Sequence, residues 1–157
     1  MSHIRRKTIE GLEVGDVFYA TRTFLQKDVD AFAEISRDYN PIHFEERFTR
    51  VKKMKGRICH GLLVAGMITE IGGQIGWLAS GMRFRFRRPV YIGDTVQCCV
   101  TIVDIDEKNR ARAEAVFYNQ DGALVIESIF TGVIPGDSEK EVLRAMLAEG
   151  DPTNRCR

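Results

Sequence analysis

The run Asp38-Tyr39-Asn40-Pro41-Ile42-His43, followed by His60-Gly61, puts a carboxylate, an imidazole and a candidate oxyanion donor in one stretch of chain. Imidazole titrates near neutral pH, so it can accept a proton and return it. A carboxylate beside it can hold a water by one hydrogen and steady charge on the ring. Proton traffic through a bound water is the chemistry that this pair suits. Asn40 can fix the turn between them through side-chain hydrogen bonds. The plainer alternative is that Asp-x-Asn-Pro simply ends a helix and His43 is a surface histidine.

The preceding element must aim the pair. Val29, Phe32, Ala33 and Ile35 recur near helical spacing, which predicts a helix over 26–37. Pro41 cannot continue it and disfavours the α region at Asn40. The chain therefore leaves the helix between 38 and 41, and a turn can point both side chains at one spot.

Composition narrows the function classes. The chain has 157 residues and a formal net charge of +1, so bulk charge makes no case for nucleic acid or a membrane surface. No apolar run reaches the ~18 residues of a membrane span. The basic N-terminal residues precede no apolar segment, so no signal peptide is expected. Cys59, Cys98, Cys99 and Cys156 form no CxxC pair, which argues against a zinc site or disulfide framework. Reduced thiols in a cytoplasmic protein are the expectation. Cys59 beside His60 reads as a small buried apolar residue rather than a nucleophile.

Residues 11–16 read as a turn and 17–24 as a first strand. Residues 41–55 are polar and irregular, with a short helix near 45–50. From 61 to about 77 the chain is almost all apolar or small, so a helix there must be buried. Strands follow at 81–87, 95–105, 110–119 and 123–134. Asp106-Glu107-Lys108-Asn109 and Asn119-Gln120-Asp121-Gly122 are the hairpin turns. A short helix at 139–149 and a disordered tail of seven residues close the chain. The order predicts one α+β domain over 1–157, with its core at about 12–134 and a C-terminal helix and tail at 135–157. An antiparallel sheet curls around the apolar helix and leaves edge strands free to pair.

Three segments together resemble one family: Ser36-Arg37-Asp38-Tyr39-Asn40-Pro41-Ile42-His43, then Cys59-His60-Gly61-Leu62-Leu63, then Phe86-Arg87-Arg88-Pro89-Val90-Tyr91-Ile92-Gly93-Asp94-Thr95. They look like the MaoC-like hot dog dehydratases, in particular the single-domain (R)-specific enoyl-CoA hydratases. The resemblance spans about 12–134. It implies a hot dog fold, a curved antiparallel sheet wrapped around a long central helix at 61–77. It implies a homodimer joined edge to edge, with higher assembly open. Asp38 and His43 match the catalytic pair that activates one water, and Gly61 matches the glycine whose N–H binds the thioester carbonyl. Asn40, Thr69 and Gly72 join Gly61 as expected substrate-binding positions. Thr69 falls where relatives carry a serine, so its hydroxyl is expected either to bond Asp38 or to bond its own helix backbone. Gly72 and Gly73 mark either an acyl channel or close helix packing.

The implied activity is reversible hydration of trans-2-enoyl thioesters to (R)-3-hydroxyacyl thioesters, with no metal and no cofactor beyond a coenzyme A thioester as substrate. An acyl-carrier-protein thioester is the other carrier. Alternatives are a 3-hydroxyacyl-carrier-protein dehydratase, a hot dog thioesterase and a noncatalytic acyl-thioester-binding dimer module. Arg83, Arg85, Arg87 and Arg88 read as a solvated face, with coenzyme A phosphates or an acidic carrier as the other reading. His3 is expected in a mobile terminus, and His60 as a structural residue holding the loop before the helix.

Overall fold

The computed structural model describes residues 3–155. Five strands form one antiparallel sheet in the order β1-β3-β4-β5-β2. They are β1 (Val17–Thr23), β2 (Leu78–Phe86), β3 (Thr95–Ile105), β4 (Arg110–Asn119) and β5 (Leu124–Val133). The helices are α1 (His3–Glu10), α2 (Gln26–Ser36), α3 (Glu46–Val51), α4 (Gly61–Ala65), α5 (Met67–Ile75) and α6 (Asp137–Ala148). A 3₁₀ turn covers Pro41–His43.

Alternation sets the core face of the sheet. Val96, Cys98, Val100 and Ile102 of β3 point inward, as do Ala111, Ala113, Ala115 and Phe117 of β4. The three alanines are short and leave space for the helix layer. Ile68, Ile71 and Ile75 of α5 fill it and join the same buried cluster. Burying each such side chain contributes about 1.5–3 kcal/mol. The hairpin at 119–122 turns through Gly122, whose φ of 73° suits glycine. Ala113 faces Phe130 across β4 and β5, and Cys98 faces Phe117 across β3 and β4, so one register carries the apolar face across the sheet.

Several expectations change. The central helix is not continuous: it pauses at Gly66 between α4 and α5 and ends at Ile75. Gly76 takes the left-handed region (φ 82°), and the Trp77 N–H closes on the Gly72 carbonyl at 2.8 Å. Nor is it buried all round, since Leu62 and Thr69 are exposed. β2 then starts at Leu78, earlier than the expected 81.

The N-terminal segment is a helix rather than a mobile end. Ile4, Arg5 and Thr8 of α1 are buried. Residues 151–155 are not loose either. Asp151 is buried and pairs with Arg5 at 3.1 Å. Arg5 Nε donates to the Gln74 carbonyl at 2.7 Å, and Gln74 Nε2 donates to the Thr153 carbonyl at 3.1 Å. The two ends of the chain thus clamp the end of α5. The expectations for Cys156 and for the last two tail positions lie outside the described residues. No described helix is long and apolar enough to cross a membrane.

Candidate active site

The site begins where α2 stops. Arg37 adopts the left-handed region and its N–H returns to the Ala33 carbonyl, ending the helix. The Ser36 hydroxyl accepts from the Asp38 N–H at 3.2 Å. Asp38 Oδ1 accepts from the Asn40 N–H at 3.1 Å, and Asn40 Oδ1 accepts from the Ile42 N–H at 3.1 Å. Two successive side-chain turns therefore lead the chain into the 3₁₀ turn. Asn40 fixes the backbone as expected, and it does not line the cleft described below.

His43 is buried, and its Nδ1 lies 2.8 Å from the Ile58 carbonyl. A carbonyl only accepts, so Nδ1 carries the hydrogen and Nε2 keeps its lone pair. Nε2 lies 3.9 Å from Asp38 Oδ2, whose side chain is 48% exposed. That gap is too long for a direct hydrogen bond and suits a group bound between the two. Burial pushes the His43 pKa below its ordinary value. The Ile58 hydrogen bond opposes that shift, His60 adds to it and Asp38 opposes it. The ring is thereby held neutral and able to accept a proton near pH 7.

His60 stands ahead of α4. Its Nε2 donates to the Asp38 carbonyl at 2.9 Å, and its ring lies against the His43 ring with centroids 3.7 Å apart. Gly61 opens α4, and the first N–H groups of a helix have no partner within it. A Cβ at Gly61 would sit 2.8 Å from Phe86 Cε1, so only glycine fits there without displacing the ring.

These residues share one cleft of about 650 Å³, lined by Asp38, His43, His60 and Gly61 on one side and by Phe86 and Arg88 at the end of β2. Its remaining lining, such as Phe32, Val64 and Ile126, is mostly apolar. That the Phe86 ring lines the cleft was not read from the sequence, because the end of β2 is placed by its pairing with β5.

Thr69 and Gly72 lie elsewhere. Thr69 Oγ1 donates to the Gly66 carbonyl at 2.7 Å and not to Asp38. Both residues line a separate cavity of about 220 Å³ that shares no lining residue with the cleft. The helical rise carries Thr69 roughly 12 Å beyond Gly61, which explains the separation. An added Cβ at Gly72 would make only ordinary contact with Trp77 at 3.8 Å and one at Gly73 would meet nothing within 4 Å, so close packing requires neither glycine. Cys59 is buried and its thiol is pushed up to about 12 by burial, so it is no nucleophile at neutral pH. Arg83 and Arg85 are exposed on the outer sheet face, while Arg87 pairs with Glu127 at 2.6 Å.

Asp38, His43 and His60 also bring one donor atom each within 4.8 Å of the others. One nitrogen of each imidazole is already committed to a carbonyl. The two rings pack against each other with centroids 3.7 Å apart and an interplanar angle of 31°. That donor set fits proton transfer better than metal ligation.

Comparison with known proteins shows the family. The MaoC like domain family model matches residues 12–122. A mitochondrial 3-hydroxyacyl-[acyl-carrier-protein] dehydratase of Arabidopsis thaliana is 34% identical over 140 residues, 85% of this chain and 83% of the relative. An (R)-specific enoyl-CoA hydratase of Aeromonas caviae is 30% identical over 122 residues, 74% of this chain and 91% of the relative. The solved (R)-hydratase from A. caviae involved in PHA biosynthesis superposes with a TM-score of 0.76 at 30% identity, over 80% of this chain and 99% of that one.

Proposed function

The chain belongs to the MaoC-like family of hydratases and dehydratases, and on that premise we propose that it hydrates trans-2-enoyl thioesters reversibly to (R)-3-hydroxyacyl thioesters. The observation that carries this is the 3.9 Å gap between Asp38 Oδ2 and an acceptor-ready His43 Nε2, in a mostly apolar cleft that also contains Gly61. In the proposed reaction the thioester carbonyl accepts from the Gly61 N–H at the positive end of α4. This draws electrons from the conjugated double bond and stabilises the enolate that develops. Water sits between the two side chains. His43 Nε2 takes one of its protons as the water oxygen bonds to C3, and Asp38 holds the other hydrogen. The proton then returns from the pair to C2, so water is divided across the double bond and both side chains end as they began. Dehydration runs the same steps backwards.

The acyl group is carried on coenzyme A or on a carrier protein, as in the two kinds of relative. A second copy is proposed to pair along β2, an edge strand that exposes Leu78 and Met82. The free thiols of Cys59, Cys98 and Cys99 fit a reducing, cytoplasmic setting.

The test is loss of conjugated enoyl absorbance with crotonyl-CoA, followed by chiral analysis of the 3-hydroxybutyryl product. Asp38→Asn and His43→Gln should each slow turnover by about 10²–10⁴-fold while remaining folded. Release of free thiol in place of water addition, or turnover in either variant near that of the wild type, would overturn the assignment.

A further inference from the structure

We propose that His60 is a positioning residue for the Asp38–His43 pair, pinning the chain at Asp38 and forming the wall against which the His43 ring lies. The inference rests on the hydratase reading above. The Asp38 carboxylate is half exposed, and among the described residues the one hydrogen bond it accepts comes from Asn40 in its own turn. Its position is therefore set by the backbone. That backbone is held from outside the turn by His60 Nε2–H, donating to the Asp38 carbonyl at 2.9 Å. The same ring packs on His43 at 3.7 Å with an interplanar angle of 31°, and on Phe32 at 4.9 Å. One side chain thus touches both halves of the pair.

His60 is 1% exposed, and among the described residues its Nδ1 has no hydrogen-bond partner. Leaving a buried polar atom unsatisfied is unfavourable. A phenylalanine would fill the same volume beside Phe32 without that penalty. What imidazole adds is the Nε2–H donor aimed at Asp38, so packing alone does not account for it.

The second effect is electrostatic. His43 faces Asp38 from the turn after α2, the Ile58 carbonyl from the strand-like segment before α4, and His60 itself. At the end of β2, Arg87 and Arg88 line the same cleft, the first paired with Glu127 and the second donating to the Leu124 carbonyl. Two stacked imidazoles cannot both be charged cheaply in a buried site. His60 thus adds to burial in favouring the neutral, proton-accepting form of His43.

Two variants separate the roles. His60→Phe keeps a ring against His43 and removes the donor. With crotonyl-CoA its kcat should fall about 10–100-fold with KM little changed, since a small misplacement of a catalytic group is costly. Its acid-limb midpoint should rise toward the ordinary histidine value, because the second imidazole is gone. His60→Gln keeps an amide donor for the Asp38 carbonyl and removes the ring. It should recover most of kcat, while its acid-limb midpoint rises toward the ordinary histidine value of about 6.5. NMR titration of the His43 imidazole in both variants reads the same shift without any turnover. If His60→Phe turns over like the wild type, or His60→Gln leaves the His43 titration unmoved, the inference is wrong and the hydratase reading stands. If the wild type hydrates no enoyl thioester, the hydratase reading fails and the NMR titration still decides the electrostatic role. Loss of folding in both variants, seen by near-UV circular dichroism, would make His60 a structural residue and overturn the proposal.

Discussion

Gly61→Ala tests the geometry of the cleft most directly. The new methyl would lie 2.8 Å from Phe86 Cε1 and 3.1 Å from Cδ1 and Cζ. Carbon atoms pack at about 3.5–4.0 Å, so the ring must retreat by ~0.7 Å or more. Phe86 is 53% exposed and at the edge of the sheet, so it can move. The folding cost should therefore sit near the low end of the overpacking range, about 1 kcal/mol. For a chain of this length that shifts Tm by about 2–4 °C. Activity should suffer more. The methyl and the displaced ring both crowd the space beside the Gly61 N–H, where the thioester carbonyl is proposed to bind. Misplacement on this scale should lower kcat/KM for crotonyl-CoA about 10–100-fold, or roughly 1.4–2.7 kcal/mol of transition-state stabilisation. The check is initial rates beside thermal unfolding, with Phe86→Ala alone and in the Gly61→Ala background. Removing the ring should restore at least tenfold to the Gly61→Ala enzyme. Near-wild-type rates in Gly61→Ala, or no rescue by Phe86→Ala, would refute the argument that this contact sets the site.

The pH dependence follows from His43. Burial lowers its pKa in the fold, so the acid limb of kcat/KM should have its midpoint below the ordinary histidine value of about 6.5. For stability, the unfolded chain takes up this proton first as pH falls. The contribution of the neutral ring is whole above the unfolded pKa and is lost as pH drops toward the folded one. Urea midpoints at pH 7.5 and 5.5 should show that loss, and His43→Gln should reduce it. Arg5→Ala removes the buried partner of Asp151 and the donor to the Gln74 carbonyl. It should cost about 3 kcal/mol in chemical denaturation, with kcat/KM unchanged at temperatures where the variant is folded. Thr69→Val should leave crotonyl-CoA turnover within about twofold of wild type. Its hydroxyl bonds the Gly66 carbonyl rather than Asp38, so a larger loss in steady-state rates would contradict that placement.

The turn that brings Asp38 and His43 together and the strand pattern were legible because both are local. Pro41 forces the chain out of α2 within a few residues of Asp38, whatever the rest of the molecule does, so acid and base had to share a turn. The alternation of Ala111, Ala113, Ala115 and Phe117 needs only the period-two geometry of a strand to fix which face is buried. Other features depend on partners distant in sequence. Nothing around His60 shows that its ring nitrogen reaches the Asp38 carbonyl 22 positions earlier. Thr69 resembled a site residue by position, yet helical rise carried it to a different cavity. The segment around α1 carries few apolar residues and reads as a loose basic end. Its key buried group is Arg5, and an arginine is buried only when a distant carboxylate and carbonyls meet it. Asp151, Gln74 and Gly73 supply those partners, and the same ion pair orders the tail that composition suggested was disordered. Sequence by itself determined most of the strands and the closeness of Asp38 to His43, because backbone geometry and periodicity act over a few residues. The tertiary structure alone decided which side chains complete the cleft and which charges are buried, because desolvation and hydrogen bonding depend on what the fold brings into contact.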